Sequence, residues 1–171
     1  MDKSKIKILI TGGTIDDLEY EKEEDAPQNH QSLTPNLLKQ SRITAEYDVE
    51  VLMQKDSRFI TNEDRKIILE KCKSCTEEKI IVTHGTATMP ETAKFLGRAN
   101  IGKTIVLFGS AIPANKENSD TLYNLGSAFI AVQLLSAGVY IVMNGKVFAW
   151  DNVKKNFFTG YFEEANGRNS G

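Results

Sequence analysis

Several residue types that build familiar functional sites are scarce in this sequence. Its 171 residues include only two cysteines, two histidines and one tryptophan. Cys72 and Cys75 form a single CxxC that closes a charged helical stretch, EDRKIILEKCKSC, with no second pair and no histidine nearby. One such pair supplies half the ligands of a structural zinc site, and a redox CxxC opens a helix after a strand instead of ending one. Two reduced thiols are therefore expected, with no metal site. Long apolar runs are missing too: none approaches the ~20 residues that cross a bilayer. The opening MDKSKIKILI gives way to TGGT after a short apolar stretch, so a first strand is expected there and a secretory signal is not. Nor is there an excess of one charge, since 21 Lys+Arg face 23 Asp+Glu for a net charge of -2. Nucleic acid as the main partner calls for a basic surplus. A single cytoplasmic α/β enzyme or binding domain, with neither membrane nor nucleic acid as partner, is the reading that remains.

Five short runs rich in Val and Ile read as buried strands: 5–10, 48–53, 79–84, 103–108 and 139–144. Helical patterns separate most of them. One starts at Thr34, with Thr as N-cap and Pro35 behind it, and one starts from Thr61, where Thr61 and Asp64 suit a helix N-terminus. A third starts at Met89, capped from Thr88, and the longest covers 119–136. Strands alternating with helices predict right-handed crossovers and a three-layer α/β/α sandwich around a mainly parallel, Rossmann-like sheet. Asn144-Gly145 predicts a tight hairpin between the fifth strand and KVFAW. The domain is expected to cover 1–162, with a polar, disordered tail over 163–171.

Parallel sheets place ligands beyond the carboxyl ends of their strands. The tips here carry Thr11-Gly12-Gly13-Thr14, Asp56-Ser57, Thr83-His84-Gly85-Thr86-Ala87-Thr88 and Gly109-Ser110. Such tips offer hydroxyl nucleophiles, and glycine backbones that let N–H groups approach an anion or oxyanion. A helix starting near Thr88 directs its positive end to the same crevice. The stretch Asp16–Asp25, with seven carboxylates and one lysine, leaves directly from the Gly-Gly turn. It reads as a lid over the crevice, or more simply as a solvated charge run.

Other chemistries find little support. TGGT is not GxGxxG, no GxxxxGK[ST] occurs, and no GxSxG elbow provides a serine nucleophile. His30 lies in the polar loop, and His84 reads as a structural residue at a strand end more readily than as a general base.

The segments TGGTI (11–15), DSRFIT (56–61), THGTATMPETAKFL (83–96) and LFGSAIPANKENSDTLYNL (107–125) resemble, in order and spacing, those of the bacterial-type L-asparaginases. The resemblance is to their N-terminal domain and covers nearly the whole chain. It implies that Thr14 is the nucleophile that forms an acyl-enzyme, that Thr86 is the second catalytic threonine, and that Lys155 is the lysine bonded to it. A register slip would put Lys154 in that place. Ser57 matches the serine that holds the substrate α-carboxylate, with Gly13, Gly85 and Ala87 beside it, and Tyr20 is the candidate lid tyrosine. Two positions depart from the family pattern. Ala87 stands where an aspartate usually pairs with the substrate ammonium, and Arg58 stands where longer members carry a glutamine. Asp56 is then the nearest carboxylate in sequence for an ammonium.

The resemblance implies an amidohydrolase that converts L-asparagine to L-aspartate and ammonia, with a small-molecule amide as partner and no metal or organic cofactor. Three alternatives stay open: a catalytically weakened binding protein, an amidase for another small amide, and a different α/β hydrolase or transferase. A homo-oligomer, dimer or tetramer, is expected. The helix over 119–136 carries more apolar residues (Leu122, Tyr123, Phe129, Ile130, Val132, Leu134, Leu135) than one sheet contact should bury. Coverage by Phe148, Trp150 and Phe157 of the C-terminal hairpin region is the alternative.

Overall fold

The computed structural model of the chain describes residues 5–166. The anticipated apolar runs form β1 (Ile6–Gly12), β2 (Tyr47–Lys55), β3 (Lys79–Thr83), β4 (Thr104–Phe108) and β5 (Gly138–Met143), joined by β6 (Lys146–Ala149). They make one sheet in the order β2-β1-β3-β4-β5-β6. The first five strands are parallel and β6 runs antiparallel to β5. β1 and β4 are buried along their whole length, as a parallel sheet covered on both faces requires. The β5–β6 turn has φ 55° at Asn144 and 76° at Gly145. Two positive φ values in succession define the type I′ turn, whose twist matches that of the flanking strands.

Four helices cover the sheet: α1 (Thr34–Gln40), α2 (Asn62–Ser74), α3 (Met89–Arg98) and α4 (Thr121–Leu134). At α2 the expected cap forms in full, with Thr61 and Asp64 satisfying each other's backbone N–H. At α1 it does not. Thr34 is already helical, Leu33 occupies the cap position, and the Asp16 carboxylate accepts from the N–H of Leu33 at 2.9 Å and of Thr34 at 3.3 Å. The cap thus comes from the loop after β1, where a carboxylate also complements the helix dipole. Thr88 likewise does not cap α3; its hydroxyl donates to the Ser57 carbonyl at 2.7 Å. α4 begins two residues later than expected and ends two earlier.

The expectation of uniformly right-handed crossovers needs correction. α3 and α4 both lie over β4 and β5 without forming a packed helix pair, which places them on opposite faces of the sheet. The steps β3 to β4 and β4 to β5 run in the same direction across the sheet. Helices on opposite faces then give the two crossovers opposite hands, so one of them is left-handed, against the strong general preference.

The hairpin region does not cover α4. Phe148 packs beside Phe162 with ring centroids 6.5 Å apart, Trp150 lies against Gly97 of α3, and Phe157 is exposed. Leu122, Tyr123, Ile130 and Leu134 stay exposed along α4. A further two-stranded ribbon, β7 (Lys154–Lys155) with β8 (Phe162–Glu163), follows the hairpin. Glu163, the first residue of the expected tail, therefore lies in a strand, and residues 167–171 of that tail lie outside the described residues.

A Cβ at Gly97 would sit 2.2 Å from Trp150, whereas one at Gly126 in α4 meets nothing within 4 Å. Alanine gains up to ~1 kcal/mol in helix propensity over glycine at either site, and overpacking costs ~1–3 kcal/mol at a crowded one. Urea unfolding should therefore show Gly97→Ala destabilised and Gly126→Ala neutral or stabilised. Equal effects at both sites would contradict the Trp150 contact.

Candidate active site

Three loops meet at the carboxyl end of the sheet because glycine lets their backbones touch. Gly13 has φ +90°, and a Cβ there would lie 2.4 Å from both Cα and N of Gly85. A Cβ on Gly85 would in turn lie 2.6 Å from Ser57 Oγ. Only glycine tolerates both the left-handed φ and the close approach. The residues that follow these glycines, Thr14 and Thr86, are thereby brought to one place, with Ser57 beside them. The place is where the strand order reverses, since the chain passes from β1 to β2 on one side and then crosses to β3 on the other.

Thr14, Thr86, Lys155, Tyr20, Ser57, Asp56, Gly13, Gly85 and Ala87 all line a single cavity of about 530 Å³ there. Glu19, Glu21, Arg58 and Phe157 complete the lining. Lys155 Nζ lies 2.7 Å from Thr86 Oγ1 and donates to it. Strand alternation in β7 sends Lys154 the other way, to Glu163 at 3.3 Å. Of the two lysines, Lys155 is the one bonded to Thr86. Burial pulls the Lys155 ammonium below its ordinary pKa, against the opposing pull of Glu19. Thr14 Oγ1 donates to Glu19 Oε1 at 2.9 Å. Among the described residues, the N–H groups of Thr86 and Ala87 make no hydrogen bond, and they precede the N-terminus of α3.

Asp56 is differently placed from what its nearness in sequence suggests. Its carboxylate takes the Arg58 guanidinium through Nε at 3.0 Å and Nη2 at 2.6 Å, and the Arg58 N–H at 2.9 Å. Tyr20 reinforces this pair. Its hydroxyl accepts from the Asp56 N–H at 3.1 Å, its carbonyl accepts from Arg58 Nη2 at 2.8 Å, and its ring stacks on Phe59 at 5.0 Å. Asp56 is consequently neutralised within the chain, and the Tyr20 hydroxyl is aimed at the loop after β2 and not at Thr14.

Asp16 anchors the acidic segment against the body. Beyond capping α1, its carboxylate accepts from Ser32 Oγ at 2.8 Å and from the Thr34 hydroxyl at 3.2 Å. His30 Nε2 lies 2.7 Å from the Asp16 carbonyl oxygen. His84 is buried away from the cavity. Its Nδ1 donates to the Gly85 carbonyl at 2.7 Å, and its Nε2 accepts from Thr92, whose oxygen accepts from Arg65. Cys72 is buried and its thiol is pushed up to about 12 by desolvation, so it is no nucleophile at neutral pH. No helix of the described residues is long and apolar enough to cross a membrane.

The residues that sequence reasoning does not single out for the site are Glu19, Glu21 and Phe157. Glu19 is one carboxylate among seven in its run, so no spacing marks it. Phe157, expected in hairpin packing, instead borders the cavity, 5.5 Å from Lys155 Nζ.

Comparison with known proteins matches residues 5–162 to the asparaginase N-terminal family model. The chain is 30% identical over 169 residues to the probable periplasmic L-asparaginase of Haemophilus influenzae, covering 92% of this chain and 48% of that protein. It is 33% identical over 152 residues to a glutamyl-tRNA(Gln) amidotransferase subunit of Sulfurisphaera tokodaii, covering 85% of this chain and 34% of that one. Among solved structures, the probable cytoplasmic L-asparaginase of Campylobacter jejuni superposes with a TM-score of 0.79 at 28% identity, over 95% of this chain and 53% of that one. The chain thus spans about half the length of these relatives, or less.

Burial, with added repulsion from the Arg65 guanidinium, depresses the His84 pKa to about 4. Neutral in the fold and protonated in the unfolded chain between about 6.5 and 4, the imidazole contributes stability above pH 6.5 that is lost as pH falls to 4. That contribution is roughly 3 kcal/mol. An NMR titration should find the His84 ring signals flat through pH 6–7 and moving only near 4. A midpoint between 6 and 7 would contradict the buried, neutral assignment.

Proposed function

The chain belongs to the asparaginase family through its N-terminal domain, and from that premise we propose that it is an amidohydrolase with Thr14 as nucleophile. The observation that carries this reading is the Lys155–Thr86 hydrogen bond in the cavity that also holds Thr14 and Ser57. The Thr14 oxygen attacks a side-chain amide carbonyl, ammonia leaves, and water hydrolyses the resulting ester. A lone threonine hydroxyl is a weak nucleophile and needs neighbours that accept its proton and fix its orientation. The N–H groups of Thr86 and Ala87, which make no hydrogen bond among the described residues, are available to an oxyanion. Lys155, donating to the Thr86 hydroxyl, holds that threonine in place and brings positive charge to the side of the cavity where the substrate carbonyl develops negative charge.

The substrate we favour is L-asparagine, its α-carboxylate on Ser57. A second reading, an amidase for a different small amide, draws on the Asp56–Arg58 pair. With that carboxylate occupied and Ala87 apolar, only Glu19 and Glu21 remain as acidic cavity residues for an ammonium. We further read the protein as a cytoplasmic homo-oligomer, supported by the exposed apolar residues along α4.

Ammonia release from L-asparagine, L-glutamine and D-asparagine tests the reading. Thr14→Ala, Thr86→Val and Lys155→Met should each lower turnover by ~10²–10⁴-fold, with circular dichroism unchanged. Lys154→Met should be near wild type, since its partner is Glu163. Near-wild-type turnover in Thr14→Ala would overturn the nucleophile assignment.

A further inference from the structure

The Thr14 hydroxyl has one hydrogen-bond acceptor among the described residues, and it is neither Lys155 nor Tyr20. Its proton points to Glu19 Oε1 at 2.9 Å. Lys155 is engaged with the other threonine, and the Tyr20 oxygen with the Asp56 N–H. Glu19 also borders a second, smaller cavity of about 270 Å³ that shares Thr14, Thr86 and Lys155 with the first. The carboxylate is thus at the wall where the two cavities meet. Its position is fixed from both sides: Asp16 anchors the segment before it through Ser32 and Thr34, and Tyr20 after it is stacked on Phe59. Glu19 also faces Lys155 closely enough to oppose the lowering of its pKa.

We propose that Glu19 is a catalytic residue, the group that takes the Thr14 proton. This deepens the amidohydrolase reading and rests on it. As the Thr14 Oγ–carbon bond forms, the hydroxyl proton passes to the Glu19 carboxylate and the carbonyl π electrons move onto oxygen. When the tetrahedral adduct collapses, the carbon–nitrogen bond breaks and the amine nitrogen takes the proton from Glu19. Ammonia leaves, Glu19 is again a carboxylate, and Thr14 carries an ester. Deacylation repeats the exchange with water: its proton passes to Glu19 as the new carbon–oxygen bond forms, and returns to Thr14 Oγ as the ester bond breaks. Lys155 and Thr86 are left to orient the substrate carbonyl and stabilise its charge.

The test compares wild type with Glu19→Gln and Glu19→Ala on L-asparagine and on its analogue lacking the α-amino group, succinamic acid. Glu19 is exposed, so neither substitution should disturb the fold. We expect kcat to fall by about 100-fold or more on both substrates, with KM little changed. Added formate or acetate should partly rescue Glu19→Ala. A kcat near wild type in Glu19→Gln would overturn the proposal while leaving the amidohydrolase reading standing. So would a loss confined to the KM for L-asparagine, which would make Glu19 an ammonium holder. A wild type that releases ammonia from neither substrate would remove the reading and this proposal together.

Discussion

The site depends on a contact between two stretches of backbone. Gly13 and Gly85 approach so closely that neither can carry a side chain, and the two threonines that follow them inherit that proximity. Ser57 leans on Gly85 from the third loop, and the Thr88 hydroxyl ties that loop back through the Ser57 carbonyl. The geometry is therefore set by main chain at the ends of buried strands, which is more rigid than a constellation held by side chains alone. The parallel sheet supplies the frame, because β1 and β3 are hydrogen-bonded neighbours in register up to Ile10 and Thr83.

Around this contact, buried polar groups act as fixtures and not as reagents. Asp16 gathers the loop after β1 and the start of α1, His84 pins the Gly85 carbonyl from beneath, and Asp56 holds Arg58 against Tyr20. Each is fully engaged within the chain, consistent with the cost of leaving buried polar groups unpaired. The two hydroxyls that face the cavity have different neighbours. Thr86 has a lysine partly stripped of water, and Thr14 has a carboxylate. A pair of threonines with oppositely charged partners can divide the movement of protons and the stabilisation of charge between them.

Most of the frame is legible in the sequence. Continuous Val/Ile runs, an Asn-Gly turn and a Thr61–Asp64 capping box each carry a local physical signature, and each forms. The convergence of strand tips is legible for the same reason, since glycine and threonine at successive tips mark close backbone approach. What stays hidden is set by tertiary geometry. The choice between Lys155 and Lys154 depends on a two-residue strand that no periodicity reveals. Glu19 differs from its six acidic neighbours only in where the loop turns. Asp56 reads as free because a salt bridge between residues two apart needs the tight turn at Ser57–Phe59 that the pattern does not announce. The left-handed crossover runs against a general rule and has no local mark at all.

The central claim is that Thr14 becomes acylated during turnover. The direct measurement is acid quenching of the protein during reaction with L-asparagine or succinamic acid, followed by intact mass determination and peptide mapping. An acyl adduct on the peptide containing Thr14, absent from Thr14→Ala and accumulating when deacylation is slowed, is the predicted result. Turnover with no adduct under any quench, or an adduct mapped to Thr86 or Ser57, would contradict the account.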